Sequence, residues 1–269
     1  MYIYKLDTDI KTIDLGQITD IARKAGAQIL EIYQCATTNF EIKLDQSPCT
    51  EADKVSHQVI SQSLTEIFPD LPVISEEEDT SNWNQNHKPY WLIDPLDGTK
   101  EFLEKNGEFT VNIALIENGN PVLGVVYVPV FDVMYFASQK DGAYKQVAHG
   151  SAHQLKIVPC YKDIFNVAVS RRHDLAPLEK FISNVGNCKI ISMGSSLKIC
   201  AIAEGVVDIY PRFGPTMEWD TAAAQCVLEQ AGGRMIDKNL QKLTYNKSSL
   251  KNPNFLAIGN GELSWAQYL

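Results

Sequence analysis

The run Trp91-Leu92-Ile93-Asp94-Pro95-Leu96-Asp97-Gly98-Thr99 constrains this chain more than any other stretch. An apolar strand leads into two carboxylates three positions apart, followed by a Gly-Thr turn. Pro95 has a fixed φ and no amide hydrogen, which predicts that the strand stops there. Past a strand end the backbone opens, and Asp94, Asp97 and the Leu96 carbonyl can turn hard oxygens towards a small divalent cation. Gly98 and Thr99 leave amides free at the start of the next segment, a favourable place for a phosphate oxygen. A cation site beside a phosphate site is what metal-assisted phosphoryl hydrolysis needs. Asp-Pro and Asp-Gly pairs are also ordinary turn punctuation, so the rest of the chain has to decide between turn and site.

With 269 residues, 45% of them hydrophobic and 21% charged, the chain suits one large globular domain or two modest ones sharing a core. A net charge of −9 argues against non-specific nucleic-acid binding, which needs a basic face. It would also repel a phosphorylated substrate unless divalent cations and a few placed basic residues compensate locally; most of the acids suit a solvated surface. The cysteines Cys35, Cys49, Cys160, Cys188, Cys200 and Cys226 form no Cys-x-x-Cys pair and have no His cluster beside them, which speaks against zinc. Several sit in apolar runs as small core residues, as expected in a reducing compartment. No apolar run approaches a membrane span and the first residues lack a signal-peptide core, so a cytoplasmic protein, at most peripheral to a membrane, is expected.

Apolar periodicity predicts a helix over Leu15 to Tyr33 and a second from near Thr50 until Pro69. Strand-like Leu71 to Ile74 and Tyr90 to Ile93 follow, with a polar loop from Asp79 to Lys88 between them. An antiparallel meander is predicted over Val111 to Ile116, Val122 to Val128 and Val133 to Phe136, turning at Asn118 to Pro121 and Pro129 to Asp132. After about residue 155, strands at Phe165 to Val169, Lys189 to Ser192 and Val206 to Tyr210 alternate with helices at Leu175 to Asn184, Leu197 to Glu204 and Trp219 to Ala231. Gly232-Gly233 closes the last helix, and short strands Arg234 to Ile236 and Phe255 to Ile258 complete the pattern. An α+β half, 1–155, and an α/β half, 156–269, are expected to stack helix and sheet layers in one compact body with a cleft between them.

Further acids stand at element ends. Asp53 lies in the first turn of the second helix, where Thr50 and an acid three residues on also form a capping pair. Glu76 follows a strand end and opens the run Glu76-Glu77-Glu78, and Asp220 stands at the beginning of a helix in Trp219-Asp220-Thr221-Ala222-Ala223. Each has a bland explanation as a cap or a solvated acid; all of them recurring at strand ends and helix starts points to a multi-Mg²⁺ site.

The segments Ile74-Ser75-Glu76-Glu77, Trp91 to Thr99 and Trp219 to Ala223 resemble the signatures of the inositol monophosphatase superfamily, lithium-sensitive Mg²⁺-dependent phosphatases. Lys100 to Ala114, Gly194-Ser195-Ser196-Leu197-Lys198 and Tyr210 to Thr216 are similar to its CysQ-type 3′(2′),5′-bisphosphate nucleotidase branch. The likeness runs from about Ile18 to Ile258. It implies a layered αβαβα sandwich of the inositol monophosphatase and fructose-1,6-bisphosphatase type. The implied reaction is hydrolysis of adenosine 3′,5′-bisphosphate to AMP and phosphate, with phosphoadenosine phosphosulfate as second substrate, in sulfate assimilation. Two Mg²⁺ are implied, with a third, weaker one placed with help from Glu76, and inhibition by Li⁺ and Ca²⁺.

By the same resemblance, Glu76, Asp94 and the Leu96 carbonyl hold the first cation, and Asp94, Asp97 and Asp220 the second. Asp53 and Thr99 orient and activate a water that attacks in line, with no covalent intermediate, and Gly98 and Thr99 amides receive the departing phosphate. A water on Asp220 protonates the leaving oxygen. His173, Ser195, Lys198 and Arg212 contact the nucleotide and its remaining phosphate, although Lys198 also reads as a snorkelling helix residue and Arg212 as a loop charge. Cys49 stands where the family usually has a β-branched residue, and Glu77-Glu78 lengthens the acidic run; neither removes a ligand.

A haloacid-dehalogenase-type phosphatase needs its two acids two residues apart, whereas Asp94 and Asp97 are three apart with Pro95 in the loop. An inositol or sugar monophosphatase of the same fold is the nearest alternative. A non-catalytic nucleotide or cation sensor would have lost an acid or Thr99, and none is lost; no P-loop pattern occurs. Membrane attachment and the choice between monomer and homodimer stay open at this level.

Overall fold

A computed structural model describes residues 3–5, 12–35, 40–42, 48–80, 88–158, 163–171, 175–259 and 263–269. In chain order, a short hairpin β1 (Ile3–Lys5) and β2 (Thr12–Asp14) leads into α1 (Leu15–Tyr33), whose first turn Asp14 caps by accepting from the Gly16 amide. A second hairpin, β3 (Phe40–Ile42) and β4 (Pro48–Thr50), leads into α2 (Glu51–Ile67). Next come β5 (Val73–Ser75), β6 (Tyr90–Asp97), the one-turn helix α3 (Thr99–Leu103), and the meander β7 (Thr110–Glu117), β8 (Asn120–Val128), β9 (Val133–Ser138), β10 (Gly142–Val147) and β11 (His153–Leu155). The alternating half follows as β12 (Phe165–Val169), α4 (Leu175–Val185), β13 (Cys188–Ser192), α5 (Leu197–Ala203), β14 (Ile209–Arg212), α6 (Ala222–Gln230), β15 (Arg234–Ile236) and β16 (Phe255–Ile258).

The strands β5 to β11 form one seven-stranded sheet in the order β11-β10-β9-β8-β7-β6-β5, antiparallel except for the β5–β6 pair. A five-stranded sheet runs β13-β12-β14-β16-β15, parallel at β13-β12-β14 and antiparallel beyond. Side-chain alternation sorts the core into three slabs. Trp91, Ile93, Val111, Ile113, Leu123 and Val125 face α1 and α2, packing on Ile18, Ala22, Ile29 and Ile60. Tyr90, Leu92, Ala114 and Val126 face the other way, onto α5, α6 and the second sheet through Ile199, Ala223, Cys226 and Ala257. The far face of the second sheet, with Val167, Ile209 and Leu256, covers Leu178 and Phe181 of α4. The order is therefore helix, sheet, helix, sheet, helix.

Several boundaries differ from expectation. Strand β6 does not stop at Pro95: it runs on to Asp97, and the missing amide hydrogen is absorbed by an irregularity, with Asp94 opposite Asn112 but Asp97 opposite Thr110. The hairpin β10–β11 extends the meander beyond its expected three strands, because Gly142–Val147 carries little apolar alternation and is held by pairing to β9. Strand β14 starts at Ile209 rather than Val206, and α6 starts at Ala222, so Trp219 and Asp220 occupy the turn ahead of it. Its close is as expected: the Gly232 amide reaches Glu229 O and the Gly233 amide Leu228 O, the paired bonds of a Schellman end. Cys35, Cys188, Cys200 and Cys226 are free thiols, while Cys49 and Cys160 lie outside the residues whose side chains are described.

Candidate active site

The irregularity in β6 is what assembles the acids. In a regular strand, residues three apart point to opposite faces. Here Asp94 and Asp97 oppose Asn112 and Thr110, which are two apart and share a face, so both aspartates point the same way. Leu96 goes to the other side, into the slab beneath α1 and α2. The turn is tied down on both sides: the Leu96 amide donates to Asp94 Oδ1 at 3.1 Å, and Ser56 Oγ on α2 donates to Pro95 O at 2.7 Å. Glu76 enters from the end of β5, its amide donating to Ile93 O at 3.2 Å.

Asp53 plays both of the parts its position suggests. Its Oδ2 accepts from the Thr50 amide at 2.7 Å and Thr50 Oγ1 at 2.6 Å, completing a capping box on α2. Its Oδ1 accepts from Thr99 Oγ1 at 3.1 Å, so a helix cap also orients a hydroxyl from the far end of β6. Gly98 takes φ +95°, a backbone that suits glycine, and turns the chain into α3 so that the Thr99 amide falls in a first turn without intrahelical partners.

Asp97 reaches across to the other half of the chain. Its Oδ2 accepts from the Ser196 amide at 2.7 Å and lies 2.9 Å from Ser196 Oγ, while that hydroxyl is also 2.7 Å from Asp220 O. Ser196 Oγ has one proton to give, so it serves one of these acceptors at a time, and it accepts from Asn112 Nδ2 at 3.0 Å. Asp220 Oδ2 accepts from the Met217 amide at 2.9 Å. Neither Ser196 nor Asn112 is among the site residues expected from sequence, although both lie within the family-like segments; Asn112 carries a signal as a polar residue in an apolar strand.

Burial, then the charges of Glu76, Asp97 and Asp220, push the Asp94 carboxyl well above the usual carboxylate range, and it shares a hydrogen bond with Glu76. Asp220 is raised for the same reasons, burial first, then Asp97 and Glu76; the Met217 amide and Arg212 pull it back in part. Four carboxylates thus repel one another, three of them half-buried around the buried Asp94. Among the described residues no three Asp, Glu, His or Cys side chains close on a single point as a formed metal cage. The donor set nevertheless fits Mg²⁺: hard carboxylate and carbonyl oxygens, with excess negative charge that a divalent cation would neutralise.

Beside the acids lies a cavity of ≈ 180 Å³ whose wall includes Asp97, Gly98, Ser195, Lys198, Arg212 and Asp220. Asp53, Glu76, Asp94, Leu96 and Thr99 are not part of that wall. Lys198 does not snorkel: it is 5% exposed, and its Nζ donates to Ser195 O at 2.7 Å and Met193 O at 3.3 Å. Arg212 is no free loop charge either, with Nη1 donating to Ser170 Oγ at 2.9 Å and Nη2 to Pro215 O at 2.8 Å. Its Nε is buried and has no hydrogen-bond partner among the described residues. His173 lies outside the described residues.

The sequence profile of the inositol monophosphatase family matches residues 14–264. Among curated proteins, the 3′(2′),5′-bisphosphate nucleotidase CysQ of Escherichia coli K12 is 44% identical over 246 residues, covering 90% of this chain and 98% of its own length. The same-named protein of Buchnera aphidicola is 44% identical over 241 residues, 87% of this chain and 88% of its own. Among solved structures, CysQ from Bacteroides thetaiotaomicron superposes with a TM-score of 0.78 at 40% identity, covering 92% of this chain and 97% of that one. An inositol monophosphatase from Thermotoga maritima shares the fold, with a TM-score of 0.76 at 24% identity.

Proposed function

Since the chain belongs to the inositol monophosphatase family, we propose that it is a metal-dependent 3′(2′),5′-bisphosphate nucleotidase serving sulfate assimilation. It hydrolyses adenosine 3′,5′-bisphosphate to AMP and phosphate, and takes the sulfated analogue, phosphoadenosine phosphosulfate, as a second substrate. The observation that carries this reading is the four-carboxylate cluster of Glu76, Asp94, Asp97 and Asp220 beside a cavity walled by Ser195, Lys198 and Arg212. Such a pairing suits cations on one side and a second phosphate on the other.

Glu76, Asp94 and the Leu96 carbonyl would hold one Mg²⁺, and Asp94, Asp97 and Asp220 another; Glu76 would also help to place a third, weaker one. Bound there, the cations acidify water and neutralise charge on the phosphoryl group and the leaving oxygen. Thr99 Oγ1 takes a proton from the attacking water as it passes its own to Asp53 Oδ1, along the 3.1 Å bond already made. Thr50 holds the other Asp53 oxygen, so the acceptor keeps its orientation. Amides of Gly98 and Thr99 donate to the departing phosphate. Lys198, Ser195 and Arg212, which line the cavity, meet the nucleotide and its uncleaved phosphate, with His173 completing that set. The enzyme works as a monomer or a homodimer. No helix among the described residues is long and apolar enough to cross a membrane; a cytoplasmic place of work follows from the substrate.

The test is phosphate release from adenosine 3′,5′-bisphosphate and from inositol 1-phosphate, with Mg²⁺, EDTA, Li⁺ or Ca²⁺. Nucleotide preference that EDTA, Li⁺ and Asp94→Asn each abolish is the expected result. Preference for inositol phosphate would discard the substrate and keep the metal chemistry.

A further inference from the structure

The turn Gly194-Ser195-Ser196 belongs to the half of the chain after residue 155, yet a charged side chain grips one backbone group of each of its three residues. Asp97 takes the Ser196 amide at 2.7 Å, and Lys198 donates to Ser195 O at 2.7 Å. The third grip is Glu108, which the mechanism does not use: its Oε2 accepts from the Gly194 amide at 2.7 Å. Between the two gripped amides, Ser195 is held at φ +44°, a left-handed backbone that costs a non-glycine residue about 1 kcal/mol. A conformation of that kind persists only when its surroundings over-determine it.

The placement of Glu108 is built, not incidental. Lys105 at φ +57° and Gly107 at φ +80° reverse the chain after α3, and Asn106 Oδ1 accepts from the Glu108 amide at 2.9 Å. On the far side, Arg171 clasps the same carboxylate twice, Nε to Oε2 at 2.9 Å and Nη2 to Oε1 at 2.5 Å. The Met193 amide donates to Val169 O at 3.1 Å, joining the segments that carry Gly194 and Arg171. The fit is close: a Cβ on Gly194 would stand 2.7 Å from Glu108 O and 2.7 Å from Glu101 Cγ.

We propose that Glu108 is a positioning residue for the substrate cavity, holding Ser195 in its left-handed setting by anchoring the Gly194 amide. The role rests on the nucleotidase reading only for its substrate. Asp97 has a second claim on its oxygens if it binds a cation, so Glu108 supplies the anchor that is independent of the cation. Arg171 orients Glu108 and is secondary to the Gly194 bond.

The experiment compares wild type with Glu108→Ala and Arg171→Ala by amide hydrogen exchange of the 193–199 segment, and by steady-state kinetics on adenosine 3′,5′-bisphosphate with saturating Mg²⁺. For Glu108→Ala we expect exchange of that segment, and KM, to rise about tenfold, the scale of one charge-assisted hydrogen bond, while kcat changes less than threefold. In Arg171→Ala, where the acceptor for Gly194 remains, the segment stays protected. Unchanged exchange in Glu108→Ala overturns the proposal, as does a fall in kcat at constant KM, or equal loss of protection in both variants. If wild type turns over no bisphosphate, the nucleotidase reading fails, and the exchange comparison still decides whether Glu108 anchors the turn.

Discussion

Strand β8 is pressed between helices, and Gly124 is where α6 touches it. A Cβ there would lie 2.3 Å from Ala223 O and 2.8 Å from Cys226 Cβ. Ordinary contact begins at 3.4 Å, so Gly124→Ala requires a relief of 3.4 − 2.3 = 1.1 Å, and the obstacle is a helix backbone with no rotamer to swing aside. Overpacking of this sort falls at the upper end of its usual range, about 3 kcal/mol. The helix that must retreat starts two residues after Asp220, whose carbonyl and carboxylate face Ser196 and the other acids. A displacement of about 1 Å in a catalytic group costs on the order of a hundredfold in rate. We therefore expect Gly124→Ala to lose about 3 kcal/mol in urea unfolding and roughly a hundredfold in kcat/KM. Gly205→Ala is the control: its φ of +75° adds backbone strain of about 1 kcal/mol, nothing among the described residues lies within 4 Å of the new methyl, and turnover should match wild type. Equal stability of the two variants, or a destabilised Gly124→Ala with full kcat/KM, would refute the claim that this contact sets the distance between α6 and the meander.

Asp94 and Asp220 bind protons more tightly in the folded than in the unfolded chain, so between the ordinary carboxylate value of 3.8 and their raised folded values the native state holds more protons. Stability of the EDTA-treated protein should accordingly fall as pH rises through that window, and Mg²⁺ should flatten the dependence; a metal-free melting temperature that climbs from mildly acidic to neutral pH would contradict it. Asp94→Asn should raise the metal-free melting temperature while abolishing turnover, as calorimetry and a phosphate assay will report. Glu218 is fully buried and accepts from Lys247 Nζ at 2.6 Å and the Asn246 amide at 2.8 Å, so Glu218→Ala should cost about 3 kcal/mol in urea unfolding.

Much of the architecture is legible along the chain because its causes are local. The stripe Ile18, Ile21, Ala22, Ala25, Ile29 forms α1 over Leu15–Tyr33 as its period predicts, and Asn118-Gly119 makes a two-residue hairpin turn with both residues at positive φ. The acids announce themselves through turn chemistry at strand ends. Three things are not legible. Pro95 signals a break, but whether the strand stops or slips depends on the partner β7, and the slip alone puts Asp94 and Asp97 on one face. Ser196 meets Asp97 across 99 positions of chain, and Gly194 meets Glu108 across 86. Lys198 and Arg212 can be nominated as nucleotide contacts by resemblance, but the surface-charge alternative falls only when the carbonyls they serve are folded around them.

The division has a physical basis. Periodicity, caps and turns arise from backbone sterics and hydrogen bonds over a few residues, so composition and spacing suffice to dictate most of the helices and strands and to nominate Glu76, Asp94, Asp97 and Asp220. Bringing those like charges together opposes their own electrostatics. Only the packing of α6 and α5 against the meander decides that they meet beside a cavity lined by Ser195, Lys198 and Arg212.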